Sequence, residues 1–72
     1  MDPYQGFDEF VSSHTAALSR VAFLLTGDHH LAEDLRQVAL AQVASRWPQV
    51  RDGNPVAYVR RCLINEFTSW RR

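Results

Sequence analysis

The sequence contains no lysine, so its positive charge is carried by eight arginines, whose forked guanidinium groups suit phosphates and base edges. One cysteine, Cys62, excludes an internal disulfide framework and fits a reducing compartment. Three glycines and three prolines are too few for a low-complexity linker, and none of the glycines builds a phosphate-cradling loop. No apolar run approaches the length of a membrane span, and no signal peptide is expected, since a basic start with a small-residue cleavage site is not seen. A cytoplasmic chain without membrane attachment is expected.

What is present fits one small domain. Seventy-two residues bury a modest core, and two Trp, two Tyr and four Phe supply large pieces for it. The formal net charge is zero, but it is split. Residues 1–34 hold six carboxylates against Arg20, a net of −5, while residues 35–72 hold seven arginines against Asp52 and Glu66, a net of +5. Such asymmetry suggests two faces with different partners, the alternative being a solvated arginine-rich surface.

Apolar spacing predicts three main helices, near 7–26, 29–47 and 54–71. In the first, Phe7, Phe10, Val11, His14, Leu18, Val21, Ala22 and Leu25 line one face. Gly27 stops it, and Asp28 caps the next. The second carries Leu31, Leu35, Val38 or Ala39, Val43 and Trp47, and Pro48 ends it. Residues 48–54 read as a polar turn. Asn54 followed by Pro55 starts the third helix, whose stripe is Val56, Val59, Leu63, Phe67 and Trp70. Trp47, Leu63 and Phe67 are expected in one core, and residues 1–6 are expected to fray. The fold class is all-α, a compact three-helix bundle spanning 1–72.

Catalytic chemistry finds little support. His14 lies on an apolar face, where a hydrogen-bonded structural role fits best. His29 and His30 are neighbours that point apart on a helix, without Cys or carboxylate partners at metal-ligand spacing. Glu33 and Asp34 do not converge as an acid–base pair would. Ser12 and Ser13 beside His14 lack nucleophile–base geometry. Cys62 follows two arginines but falls one step off the core stripe, as an inert, half-buried thiol would. Neither a cofactor nor a metal is expected.

The third helix carries the binding signal. Opposite its apolar stripe lie Arg61, Asn65, Thr68 and Arg72, flanked by Arg60 and Arg71. Arginine at phosphates gives affinity, and asparagine at a base edge gives selectivity. The preceding loop adds Arg51, Asp52, Gly53 and Asn54, small polar residues able to surround an unstacked base. The plain alternative is an ordinary solvated helix back.

Four strings tie these features to a family: Leu-Leu-Thr-Gly-Asp at 24–28, Ala-Glu-Asp-Leu-x-Gln at 32–37, Ser-Arg-Trp at 45–47, and Ala-Tyr-Val-Arg-Arg-Cys-Leu-Ile-Asn at 57–65. In order and spacing they resemble region 2 of extracytoplasmic-function sigma factors of the actinobacterial kind, from Phe7 onward. The resemblance implies a helical domain that docks on the clamp helices of the RNA polymerase β′ subunit. It also implies recognition and melting of the Pribnow (minus-ten) promoter element, with a flipped non-template base gripped by the protein. The docking signature matches at Asp34, Leu35 and Gln37. The base pocket corresponds to Arg51, Asp52, Gly53, Asn54 and Asn65, and Tyr58 stands where the family often has Trp. With Arg60, Arg61, Arg71 and Arg72 these form the expected DNA-binding set.

Two positions depart from the pattern: Arg36 stands where an apolar residue is usual, and Val38 where Glu is usual. An inward arginine must snorkel or find a partner. The family also carries a helix-turn-helix domain that this sequence does not contain, so an excised domain is expected. An anti-sigma factor is a further implied partner, and a protein-interaction module that does not itself bind DNA is the competing reading.

Overall fold

The fold is available as a computed structural model, which describes residues 2–72. Its elements are α1 (Phe7–Thr26), α2 (His29–Ser45), the short α3 (Trp47–Val50) and α4 (Pro55–Trp70). Among the described residues there is no strand, so the fold is all-α, with three long helices and one extra turn.

The boundaries follow from local chemistry. Gly6 (φ 85°) and Gly27 (φ 70°) adopt the left-handed conformation at the two ends of α1, which glycine reaches without Cβ strain. The Asp28 carboxylate then accepts the backbone N–H groups of His30 at 2.8 Å and Leu31 at 3.0 Å, capping α2. That bonding, led by the Leu31 N–H and assisted by the His30 N–H with His30 and His29 nearby, outweighs an opposing desolvation second only to the Leu31 bond and holds the carboxyl below the usual aspartate value. Asn54 caps α4 by accepting Ala57 N–H at 3.1 Å, with Pro55 in the first turn, as the sequence predicts.

The second helix differs from its predicted extent. It stops at Ser45, and Pro48 opens a new helical turn instead of ending the old one. Proline is tolerated in a first turn because its missing N–H has no partner to lose there. The break swings the Trp47 ring inward. Its indole N–H donates to the Gln5 carbonyl at 2.7 Å, and its ring meets Phe7 and Phe10 at centroid distances of 5.3 Å each. A Cβ on Gly6 would lie 3.7 Å from this ring. The expected frayed start is therefore tied down from Gln5 onward, and Met1 falls outside the described residues.

One core joins all four helices. Leu18 and Ala22 of α1, Leu35, Ala39 and Val43 of α2, Trp47 of α3, and Val59 and Leu63 of α4 are buried, and Phe67 packs against them. Alanines at 22, 32 and 39 let the backbones of α1 and α2 approach closely. The α2 helix is central, packing on both α1 and α4, which touch each other more lightly. Two predicted stripe members fall outside this core: Leu31 and Trp70 are exposed. On a helix that turns about 100° per residue, an apolar stripe drifts out of the interface at the helix ends, where no neighbour remains to cover it.

Candidate nucleic-acid interface

Burying Val59 and Leu63 sends the opposite side of α4 to solvent. Arg60, Arg61, Ile64, Asn65 and Thr68 are all exposed there. An open depression of about 490 Å³ is lined by Asn54, Val56, Ala57, Arg60, Arg61, Ile64 and Asn65. Two amides and two guanidinium groups thus surround a small apolar floor. The depression lies along the first turns of α4, where the helix dipole adds positive potential. The arrangement offers donors and acceptors to a base edge, cations to phosphate and an aliphatic surface to a base face.

The loop before α4 is divided. Asn54 joins Asn65, although its carbonyl oxygen is already engaged in the cap. Arg51 and Asp52 line a different depression, with Asp2, Pro3 and Pro48, and pair with each other at 3.7 Å. Gly53 has no left-handed backbone, and a Cβ there would meet the Val50 carbonyl at an ordinary 3.6 Å. Close approach by Gly53 thus has no geometric support. Tyr58 is half-buried against the core. Arg71 stacks over Phe67, its guanidinium carbon 5.7 Å from the ring centroid, and Arg72 is exposed beyond the helix.

On α2, Asp34 and Gln37 are exposed, well round the helix from the Leu35–Ala39–Val43 face. The Gln37 amide donates to Glu33 at 3.3 Å. Leu35 is 0% exposed, which corrects its placement among docking contacts: it has no surface to offer and serves the core instead.

Sequence reasoning passed over two residues of this region. Ile64, 51% exposed, is a large apolar side chain on the polar face, and its neighbours Arg60, Arg61 and Asn65 were the available clue. Glu66 bridges two helices: one oxygen accepts the Gln42 amide at 3.1 Å, and the other accepts the Trp70 indole N–H at 2.9 Å. Its partner Gln42 lies 24 residues away, so no local pattern revealed it.

The remaining chemically suggestive groups are structural. His14 Nδ1 donates to the Phe10 carbonyl at 2.9 Å, within α1. Cys62 is a free thiol, 8% exposed, and burial pushes its pKa up while Arg61 pulls weakly the other way. No group of three or more metal-ligating side chains occurs among the described residues, nor is any helix long and apolar enough to cross a membrane.

Comparison with known proteins agrees with this architecture. The sigma-70 region 2 family matches residues 10–72. The RNA polymerase sigma-E factor of Streptomyces coelicolor is 42% identical over 67 residues, covering 92% of this chain and 38% of that protein. Those of Streptomyces avermitilis and Streptomyces antibioticus are each 40% identical over the same length, with 37% of each relative covered. The chain thus spans less than two-fifths of these relatives. No solved structure matches it. The helical core, the strings at 24–65 and these relatives converge: the chain belongs to the sigma-70 region 2 family, in its extracytoplasmic-function, actinobacterial form.

Proposed function

We propose that this chain is the promoter-recognising part of an RNA polymerase sigma factor, which acts in the cytoplasm by binding and catalyses nothing. In this reading, the outer face of α4 holds the displaced non-template strand of the Pribnow element. Asn65, with Asn54, reads one unstacked base in the depression at the start of α4. Arg60 and Arg61 neutralise phosphates beside it, and Arg71 and Arg72 extend the cationic path. Ile64 supplies an apolar surface for a base face. Asp34 and Gln37, on the exposed side of α2, meet the β′ clamp helices. An anti-sigma factor would act by covering one of these faces.

The single observation that supports this best is the convergence of Asn54, Asn65, Arg60 and Arg61 on one depression. Opening a duplex exposes Watson–Crick edges, and a polar pocket gains selectivity by capturing one such base. Arg51 and Asp52 line a different depression, so they are proposed only as a flank of the path.

The test uses a polymerase holoenzyme reconstituted with the sigma factor and short non-template oligonucleotides, varied one base at a time at several salt concentrations. Asn65→Ala should erase preference at one position, worth roughly 1–3 kcal/mol for a bidentate contact. Arg61→Ala should weaken all sequences about equally and flatten the salt dependence. If Asn65→Ala leaves base preference intact, the pocket assignment is wrong. If no variant on α4 alters oligonucleotide binding, the interaction-module reading replaces this one.

A further inference from the structure

The depression along α4 is unevenly supplied with hydrogen-bonding groups. Arg60 and Arg61 are exposed along it, and neither is ion-paired: among the described residues the one such pair is Arg51–Asp52. The Asn54 amide adds N–H donors, while its oxygen is engaged by the Ala57 N–H. No carboxylate lines the depression. Backbone adds no acceptor either. The first turn of a helix leaves N–H groups free, and carbonyls further along are bonded to the N–H four residues on. The Asn65 side-chain oxygen is therefore the one lining acceptor without a partner inside the protein, set among several donors.

The apolar part of the lining sits close to that oxygen. Arg61 stands three positions before Ile64 and four before Asn65, which makes it a surface neighbour of both. Helical side chains lean toward the N-terminus, so Ile64 and Asn65 both tilt back toward Arg61. Ile64 is 51% exposed. An isolated exposed isoleucine means little, but this one shares a turn with a cation and an amide that line the same depression.

We infer that this depression selects thymine among the four bases, with Asn65 and Arg61 matching its imide edge and Ile64 its methyl group. The inference rests on the proposed capture of an unstacked base and adds which base is captured. The pairing edge of thymine runs acceptor, donor, acceptor, with a single hydrogen to give. Its N3–H donates to the Asn65 oxygen while its O2 accepts from the Asn65 amide, and its O4 faces Arg61. The C5 methyl, beside O4, meets Ile64. Cytosine and adenine can each pair with the same amide, but each keeps an amino hydrogen without an acceptor and lacks the methyl. Guanine fits worst. Pairing its N1–H and O6 with Asn65 leaves its amino group among donors, where it loses water without gaining a partner.

The experiment uses the reconstituted holoenzyme and short non-template oligonucleotides. The position probed is the one at which Asn65→Ala erases base preference, filled in turn with thymine, uracil, cytosine, adenine and guanine. Thymine should bind tightest and guanine weakest, about tenfold or more apart. Uracil should bind about two- to fourfold more weakly than thymine, as expected for a partly buried methyl group. Ile64→Ala should abolish the difference between thymine and uracil while thymine stays ahead of guanine. Asn65→Asp puts an acceptor where the amide donor was, and should turn the preference toward guanine, whose adjacent N1–H and amino hydrogens suit a carboxylate. Circular dichroism of each variant checks that the helices persist. A responsive position that prefers cytosine or a purine, or that binds thymine and uracil equally, would overturn the inference and leave the pocket reading standing. Asn65→Ala without effect at every position would overturn both.

Discussion

Leu63 and Ile64 are adjacent in α4, yet their truncation to alanine should differ several-fold in cost. Leu63 is 0% exposed and sits in the core with Leu35, Val43 and Val59, all fully buried. Removing its side chain leaves a void that two long helices hold open, so Leu63→Ala should cost about 2–5 kcal/mol. A chain of 72 residues has roughly 4–11 kcal/mol in total, so much of the stability goes. At about 4–8 °C per kcal/mol for a domain of this size, the thermal midpoint should fall by roughly 8–40 °C. Ile64 is 51% exposed, so about half of its transfer free energy is at stake. Alanine also recovers a few tenths of a kcal/mol of helix propensity, and Ile64→Ala should cost about 1 kcal/mol or less. Thermal and urea melts followed by far-ultraviolet circular dichroism measure both. Costs within about 0.5 kcal/mol of each other would refute the inward–outward assignment of α4, and with it the placement of Asn65 on the open side.

Two further outcomes test the helix connections. Trp47→Phe keeps an aromatic ring near Phe7 and Phe10 but removes the donor to the Gln5 carbonyl, and should cost roughly 1–3 kcal/mol in urea unfolding. An unchanged urea midpoint would mean that this bond contributes nothing. Asp28 gives a pH signature: its folded carboxyl lies below the ordinary 3.8, so its contribution is complete above that value and is lost as pH falls through the lower folded value. The stability gap between the natural chain and Asp28→Ala should be constant at higher pH and narrow below pH 3.8, and a gap that instead widened in acid would contradict the cap.

The long helices were legible in the sequence because their signals are local. Gly27, Asp28, Asn54 and Pro55 each act within four residues of where they stand, and the apolar steps of α1 and α4 repeat at short range. The short α3 was not, since Pro48 both ends and begins helices, and only the docking of Trp47 on Gln5 decides between them. The binding face was legible as a class of residues on one side of α4. Its pocket was less so, because loop residues adjacent in sequence separate in space: Asn54 turns to Asn65, while Arg51 and Asp52 turn to Pro3 and Pro48. Leu35 sits inside a docking signature yet is wholly internal, a distinction that a linear motif cannot make.

The Glu66 bridge bears on how finely the outer face of α4 is aimed. A helix resting on smooth apolar neighbours can roll about its axis at small cost, and each residue's worth of roll is about 100°. Glu66 opposes that freedom, since Gln42 anchors one of its oxygens on α2 while the other holds Trp70 one turn further along α4. Asn65, the adjacent residue, inherits the resulting angular precision. One interhelical hydrogen bond, from Gln42 to Glu66, thus bears on the aim of a side chain on the outer face, and α4 behaves as a spindle with a key rather than as a free roller.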